Sequence, residues 1–195
     1  MLLQHVCVFC ASSCGNKPVY VDIARQVGQL LAQRGITLVY GGGKVGLMGT
    51  MADACLSEGG RVIGVMPRAL VEKEIAHRGL TELRVVASMH ERKALMADLA
   101  DAFVALPGGY GTWDEFCEVL TWSQLGLHRK ACALLNVDGY YDCLLTMANR
   151  AVEEGFLRDV HRELLLSDSD PASLLDRMNN CVVPVVDKWL DRSIR

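Results

Sequence analysis

Glu115 stands three residues after Thr112 at the end of the stretch PGGYGTWDE, residues 107–115. The run AFVAL precedes it and the apolar-periodic run FCEVLTWSQL follows, so the stretch joins a strand to a helix. Thr-x-x-Glu at a helix start is the pattern of a capping box, in which each side chain satisfies an orphan backbone donor. The same carboxylate, set over a glycine-rich turn, also has the chemistry of a general base or an electrostatic stabiliser for a bound ligand. The glycines at 108, 109 and 111 let backbone N–H groups approach an anion, and a helix start adds a favourable dipole.

A second group with chemical potential is Arg92, in MHERKALMADLADA. Met89, Leu95, Met96 and Leu99 lie at i−3, i+3, i+4 and i+7 from it and share its helix face. An arginine on an apolar stripe either snorkels its head to water or points into a pocket that holds an anion or a carboxylate. Glu115 is a candidate partner. Lys93 lies one position round, where it faces a ligand phosphate or water.

Further glycines occur in GGGKVGLMG, residues 41–49, which contains GxGxxG as Gly41, Gly43 and Gly46. The acidic residue that a dinucleotide site needs at the end of the next strand is missing from RVIGVMP, and no Ser or Thr follows Gly-Lys as a P-loop requires. We read Gly42 and Gly43 as contacts to a phosphate or ribose phosphate, with tight packing of helix on strand as the alternative. CASSCG, after the first strand, adds the hydroxyls of Ser12 and Ser13, for a phosphate or for a plain turn.

The elements that must position these groups alternate. Strands are expected at residues 5–11, 37–40, 62–65, 83–86, 102–106, 131–135 and 164–166, with amphipathic helices over 20–33, 48–57, 91–99, 113–125, 140–154 and 170–178. Near-continuous apolar strands alternating with helices predict an α/β fold, a parallel sheet covered by helices on both faces. In such a sheet the ligand lies beyond the carboxyl ends of the strands, where all three small-residue turns fall.

The 195 residues suit one domain, placed at 1–183, with a C-terminal tail at 184–195. A net charge of −3 argues against a nucleic-acid partner, and no Lys/Arg cluster suggests a membrane surface. Eight cysteines include Cys7 and Cys10 in CVFC, but residues three apart in a strand point to opposite faces, so we expect buried thiols and no metal site. MLLQHVCVFCASS lacks a basic n-region, and no apolar run approaches the length of a membrane span, so a cytoplasmic protein is expected.

Four ordered motifs, GGGKVGLMG (41–49), MHERK (89–93), PGGYGTWDE (107–115) and LLNVDGYYD (134–142), together resemble the Lonely Guy family. Its members are cytokinin riboside 5'-monophosphate phosphoribohydrolases, whose relatives were long labelled lysine decarboxylases. The resemblance runs from the first strand to about Leu157. It implies a Rossmann-like fold, usually a homodimer, and cofactor-free hydrolysis of a purine nucleoside 5'-monophosphate such as AMP or N6-prenyl-AMP to free base and ribose 5-phosphate. It implies Arg92 and Glu115 as the catalytic pair. It also implies substrate contacts at Glu74, Arg92, Lys93, Gly109, Tyr110, Gly111, Thr112, Glu115 and Thr121. A nucleotide-binding or sensing protein without turnover is the main alternative. A nicotinamide-dependent oxidoreductase and a carrier of a phosphorylated cofactor are further ones.

Overall fold

The computed structural model describes residues 2–73 and 76–184. Seven parallel strands form one sheet: β1 (His5–Phe9), β2 (Thr37–Tyr40), β3 (Val62–Pro67), β4 (Glu82–Val86), β5 (Ala102–Ala105), β6 (Ala131–Leu135) and β7 (Leu165–Asp168). Their order across the sheet is β4-β3-β2-β1-β5-β6-β7. The inner strands are buried along almost their whole length, which is why their sequences are continuous apolar runs. The edge strands β4 and β7 are half-buried and carry charge, with Glu82 and Arg84 on one and Asp168 on the other.

The helices are α1 (Pro18–Gln33), α2 (Gly46–Ser57), α3 (Arg68–Val71), α4 (Met89–Leu99), α5 (Tyr110–Gln124), α6 (Asp142–Glu153), α7 (Asp159–Arg162) and α8 (Pro171–Asn180). One face of the sheet packs against Leu31 of α1, Met51 of α2 and Leu174 of α8. The other packs against Met96 of α4, Phe116 and Val119 of α5, and Tyr141 just before α6. Cys7 and Cys10 belong to these two different layers, as the strand period requires, and burial pushes both thiols well above their usual range.

The expected elements are present with shifted ends. β1 stops at Phe9, because Cys10–Ser13 turns away to form a loop. α1, α2, α4 and α5 begin before the expected residue, in turns rich in Gly, Pro or Ser where periodicity carries no signal. α6 begins after it, because Val137–Gly139 forms a 3₁₀ turn first. The proposed tail lies outside the described residues beyond Pro184.

This strand order has one topological switch point. From β1 the chain winds out through β2, β3 and β4, returns to pair β5 against the free side of β1, then continues through β6 and β7. The loops after β1 and β5 therefore leave the sheet side by side in opposite senses, and a crevice opens between them.

Candidate active site

The crevice holds a cavity of about 400 Å³. Its walls are the β1 loop (Cys10–Ser13), Gly41 after β2, Arg92 from α4, and Gly109–Thr112 with Glu115 from α5. Val8 and Phe9 form its floor and Met48 one side.

Arg92 leaves the apolar stripe of α4 and turns into this cavity. Its Nε donates to the Val65 carbonyl at 3.1 Å, and its Nη1 stands 3.2 Å from Glu115 Oε1. Both side chains are 11% exposed, so the charges meet in a largely dry setting. Gly41 makes room for the guanidinium, since a Cβ there would fall on Arg92 Nη2. The snorkelling alternative is set aside by this placement.

Burial pushes the Glu115 carboxyl up from the ordinary range, and Arg92 opposes that shift. Asp114 and Glu118 add to the rise, while Lys93 works with Arg92. A carboxyl so held protonates more readily than an exposed one, which is the usual tuning of a site group.

The capping box expected at Thr112 and Glu115 does not form. α5 begins three residues sooner, at Tyr110, with Gly109 as its N-cap and no side-chain cap. Thr112 is therefore inside the first turn, 4% exposed, with its side chain packed over Gly108. Trp113 N–H donates to Gly109 O at 3.1 Å. The N–H groups of Gly109, Tyr110, Gly111 and Thr112 have no backbone acceptor among the described residues and are left to serve a ligand. The comparable pattern that does cap a helix is Ser88-x-x-Glu91. Ser88 Oγ accepts from Glu91 N at 3.1 Å, and Glu91 Oε2 accepts from Ala87 N at 2.8 Å.

Gly42 and Gly43, expected as phosphate contacts, stand in packing contacts away from the cavity. Neither lines the cavity. Gly42 O accepts from His77 N at 2.9 Å, and Gly43 bridges to Ala76. At the start of α2, Leu47 N and Met48 N donate to Ser13 O and Ala11 O, both at 3.3 Å, so these donors are already spent. Gly46, at φ 62°, lets that start touch the Ser12 backbone, where a Cβ would collide. Gly41 is the glycine of this motif that reaches the cavity, as the bare surface under Arg92.

The other expected contacts divide. Ser13, Gly109, Tyr110, Gly111 and Thr112 line the cavity with Arg92 and Glu115. Lys93 does not: its Nζ stands 3.1 Å from Asp114 Oδ2 and 2.9 Å from Glu118 Oε2, bracing α4 to α5. Glu118 in turn holds the Lys93 ammonium above its usual range. Thr121 is exposed further along α5 and donates to Cys117 O at 2.7 Å. Glu74 lies outside the described residues. Gly41, Met48 and Cys10 join the cavity without having been expected there. Gly41 was visible as the first glycine of GxGxxG.

A doubly wound parallel sheet, with a buried arginine–carboxylate pair beside an uncapped helix start at its switch point, defines a Rossmann-like protein with a crevice at the usual ligand position of such folds. A family model described as possible lysine decarboxylase matches residues 48–178. The chain is 50% identical over 175 residues to a cytokinin riboside 5'-monophosphate phosphoribohydrolase of Arabidopsis thaliana, covering 90% of this chain and 81% of that protein. It is 47% identical over 191 residues to another Arabidopsis protein of that name, covering 98% and 89%. A molybdenum cofactor carrier protein of Chlamydomonas reinhardtii has the same fold, with a TM-score of 0.68, 19% identity and coverage of 91% and 96%. The chain belongs to the Lonely Guy family. The decarboxylase wording of the family model finds no support in the cavity, where no lysine among the described residues stands ready to form a Schiff base.

Proposed function

We propose that this protein hydrolyses the N-glycosidic bond of a purine nucleoside 5'-monophosphate, AMP or an N6-prenylated AMP, to free base and ribose 5-phosphate. The observation that carries this reading is the Arg92–Glu115 pair, 3.2 Å apart and nearly dry, next to the open first turn of α5. The names of relatives about half identical over nearly the whole chain support it.

The bond from ribose C1' to the base breaks through an oxocarbenium-like state, with positive charge on the sugar and negative charge on the leaving base. In the proposed mechanism the N–H groups of Gly109–Thr112 and the Ser13 hydroxyl hold the 5'-phosphate. Glu115 lies against C1', stabilises the cationic sugar and draws a proton from the attacking water, while the base leaves as an anion and takes its proton from solvent. Arg92 keeps Glu115 ionised against the effect of burial. General base help of this kind is worth ~10²–10⁴-fold, or about 3–5 kcal/mol. The grip on the phosphate supplies the positioning. Glu74 is proposed as a further substrate contact.

We further propose a cytoplasmic homodimer. Tyr110, 86% exposed at the cavity mouth, stacks edge-on with Trp113, and Met89 and Val85 are also exposed apolar side chains, a pattern suited to a second copy. Incubation with AMP and isopentenyladenosine monophosphate in parallel, with chromatography of the released base, tests the activity. Base from either nucleotide, abolished in Glu115→Gln, supports hydrolysis by Glu115. Binding without base release refutes it in favour of a nucleotide sensor.

A further inference from the structure

The PGG loop is gripped from its carbonyl side. Tyr141, buried at the end of the β6–α6 connection, donates its hydroxyl to Leu106 O at 2.6 Å. Its neighbour Tyr140 donates to Gly108 O at 2.5 Å. Between them Pro107 O accepts from Ala11 N at 3.3 Å. Three consecutive carbonyl groups are thus each held by a donor outside the loop.

A trans peptide points its C=O and its N–H in opposite directions. All described peptide bonds are trans, so whatever fixes Gly108 O also fixes Gly109 N–H, on the other side. That peptide joins two glycines and has no side chain to resist rotation. Turning it over would carry Gly109 from its φ of −92° into the positive-φ region, which glycine enters freely. The turned peptide would aim an oxygen where the native one aims an N–H, and an oxygen repels phosphate.

We propose that the Tyr140 hydroxyl is the positioning group that locks this peptide with its N–H toward the phosphate, so that affinity for the phosphate depends on a residue outside the catalytic pair. The proposal rests on the reading of the cavity as a nucleoside monophosphate site. The phenol is well placed for such a lock. Its ring packs edge-on against Tyr20 at 6.0 Å and Tyr141 at 5.0 Å between centroids. The backbone behind it is tied by Tyr141 N to Asn136 Oδ1 at 2.7 Å. Gly108 is buried, so its carbonyl loses its partner if the hydroxyl goes, and turning over is a way to find another. Tyr141 serves the loop differently, because the peptide it holds ends in Pro107, which has no N–H to aim.

The test measures AMP hydrolysis by the full chain, and its inhibition by ribose 5-phosphate, in Tyr140→Phe. The KM for AMP and the inhibition constant of ribose 5-phosphate should rise together by about tenfold or more, the loss of one charge-assisted hydrogen bond, with a smaller change in kcat. Tyr141→Phe should lower the melting temperature and leave both constants within about twofold. Gly109→Ala supplies the decisive arm. A Cβ there meets nothing within 4 Å, yet alanine disfavours the positive φ of the turned peptide. Adding Tyr140→Phe to Gly109→Ala should therefore raise the two constants far less than adding it to the natural protein, a rescue that a general loss of packing would not show. Unchanged constants in folded Tyr140→Phe, the same penalty in both backgrounds, or a Tyr140→Phe chain that cannot fold would each overturn the proposal. If the natural protein releases no base, the hydrolase reading fails instead, and calorimetric titration with ribose 5-phosphate still tests the lock by the same comparison.

Discussion

Gly41→Ala should disable the site without touching either charged residue. Gly41 is not one of the positive-φ glycines, so its backbone does not bar alanine. Its Cβ, however, would fall on Arg92 Nη2, and the flexible guanidinium must yield. A displacement of about 2 Å takes Nη1 from 3.2 Å to roughly 5 Å from Glu115 Oε1. At an effective dielectric of about 20 the attraction falls from about 5 to about 3 kcal/mol. The missing ~2 kcal/mol corresponds to roughly thirtyfold in any step that uses the pair. Because Arg92 opposes the upward shift of the Glu115 carboxyl, its departure also moves the acid limb of the pH–rate profile to higher pH. The assay is base release from AMP over a pH series, with circular dichroism to confirm the fold. A folded Gly41→Ala protein with natural turnover and an unmoved acid limb would show that this contact does not hold Arg92 in its working position.

Three other substitutions report on the same architecture. Glu115→Gln should lower AMP hydrolysis by ~10²–10⁴-fold and yet raise the melting temperature at neutral pH. The carboxyl is held above its unfolded value, so the stability it contributes is full at acid pH and lost as pH rises through its folded pKa. Glutamine escapes that loss, and the gain should vanish in scans taken below the ordinary carboxylate range. Lys93→Met removes the α4–α5 brace, whose acidic partners are 64% and 28% exposed. A cost of about 1 kcal/mol, or roughly 2–4 °C by calorimetry, is expected, together with a further rise of the Glu115 carboxyl. Ser88→Ala should lose about 1 kcal/mol in urea unfolding, as a genuine helix cap does, with the cavity intact.

The parallel sheet was legible because its buried strands must be apolar throughout, and AFVAL or ACALL admits little else, whereas the strand order that puts the switch point between β1 and β5 was not. Arg92 was legible for the opposite reason, as a charge breaking an apolar stripe. The two Ser/Thr-x-x-Glu patterns show where local rules stop. Ser88–Glu91 and Thr112–Glu115 look alike in sequence, yet only the first caps a helix. The second begins within the first turn of its helix, because the Gly109–Gly111 backbone starts the helix early and bare. The place of Gly42 and Gly43 was hidden for a similar reason. Glycine spacing reports that backbones come close, and here the close neighbours are the 76–77 segment and the β1 loop. Lys93 follows Arg92 in the chain, but the helix period turns it toward Asp114 and Glu118.

The position of β1 also bears on how the chain folds as it is made. β1 pairs on one side with residues 37–40 and on the other with residues 102–105. Its second edge therefore stays open until β5 has been synthesised, through a period when α1, β2, α2, β3 and β4 can already assemble. Val6–Phe9, the residues that pair with β5, are all apolar, the composition that recruits stray strands from other chains. Docking of β5 closes this edge and, in the same event, brings the PGG loop against the β1 loop. The pairing that covers this edge is thus the same one that assembles the two walls of the crevice.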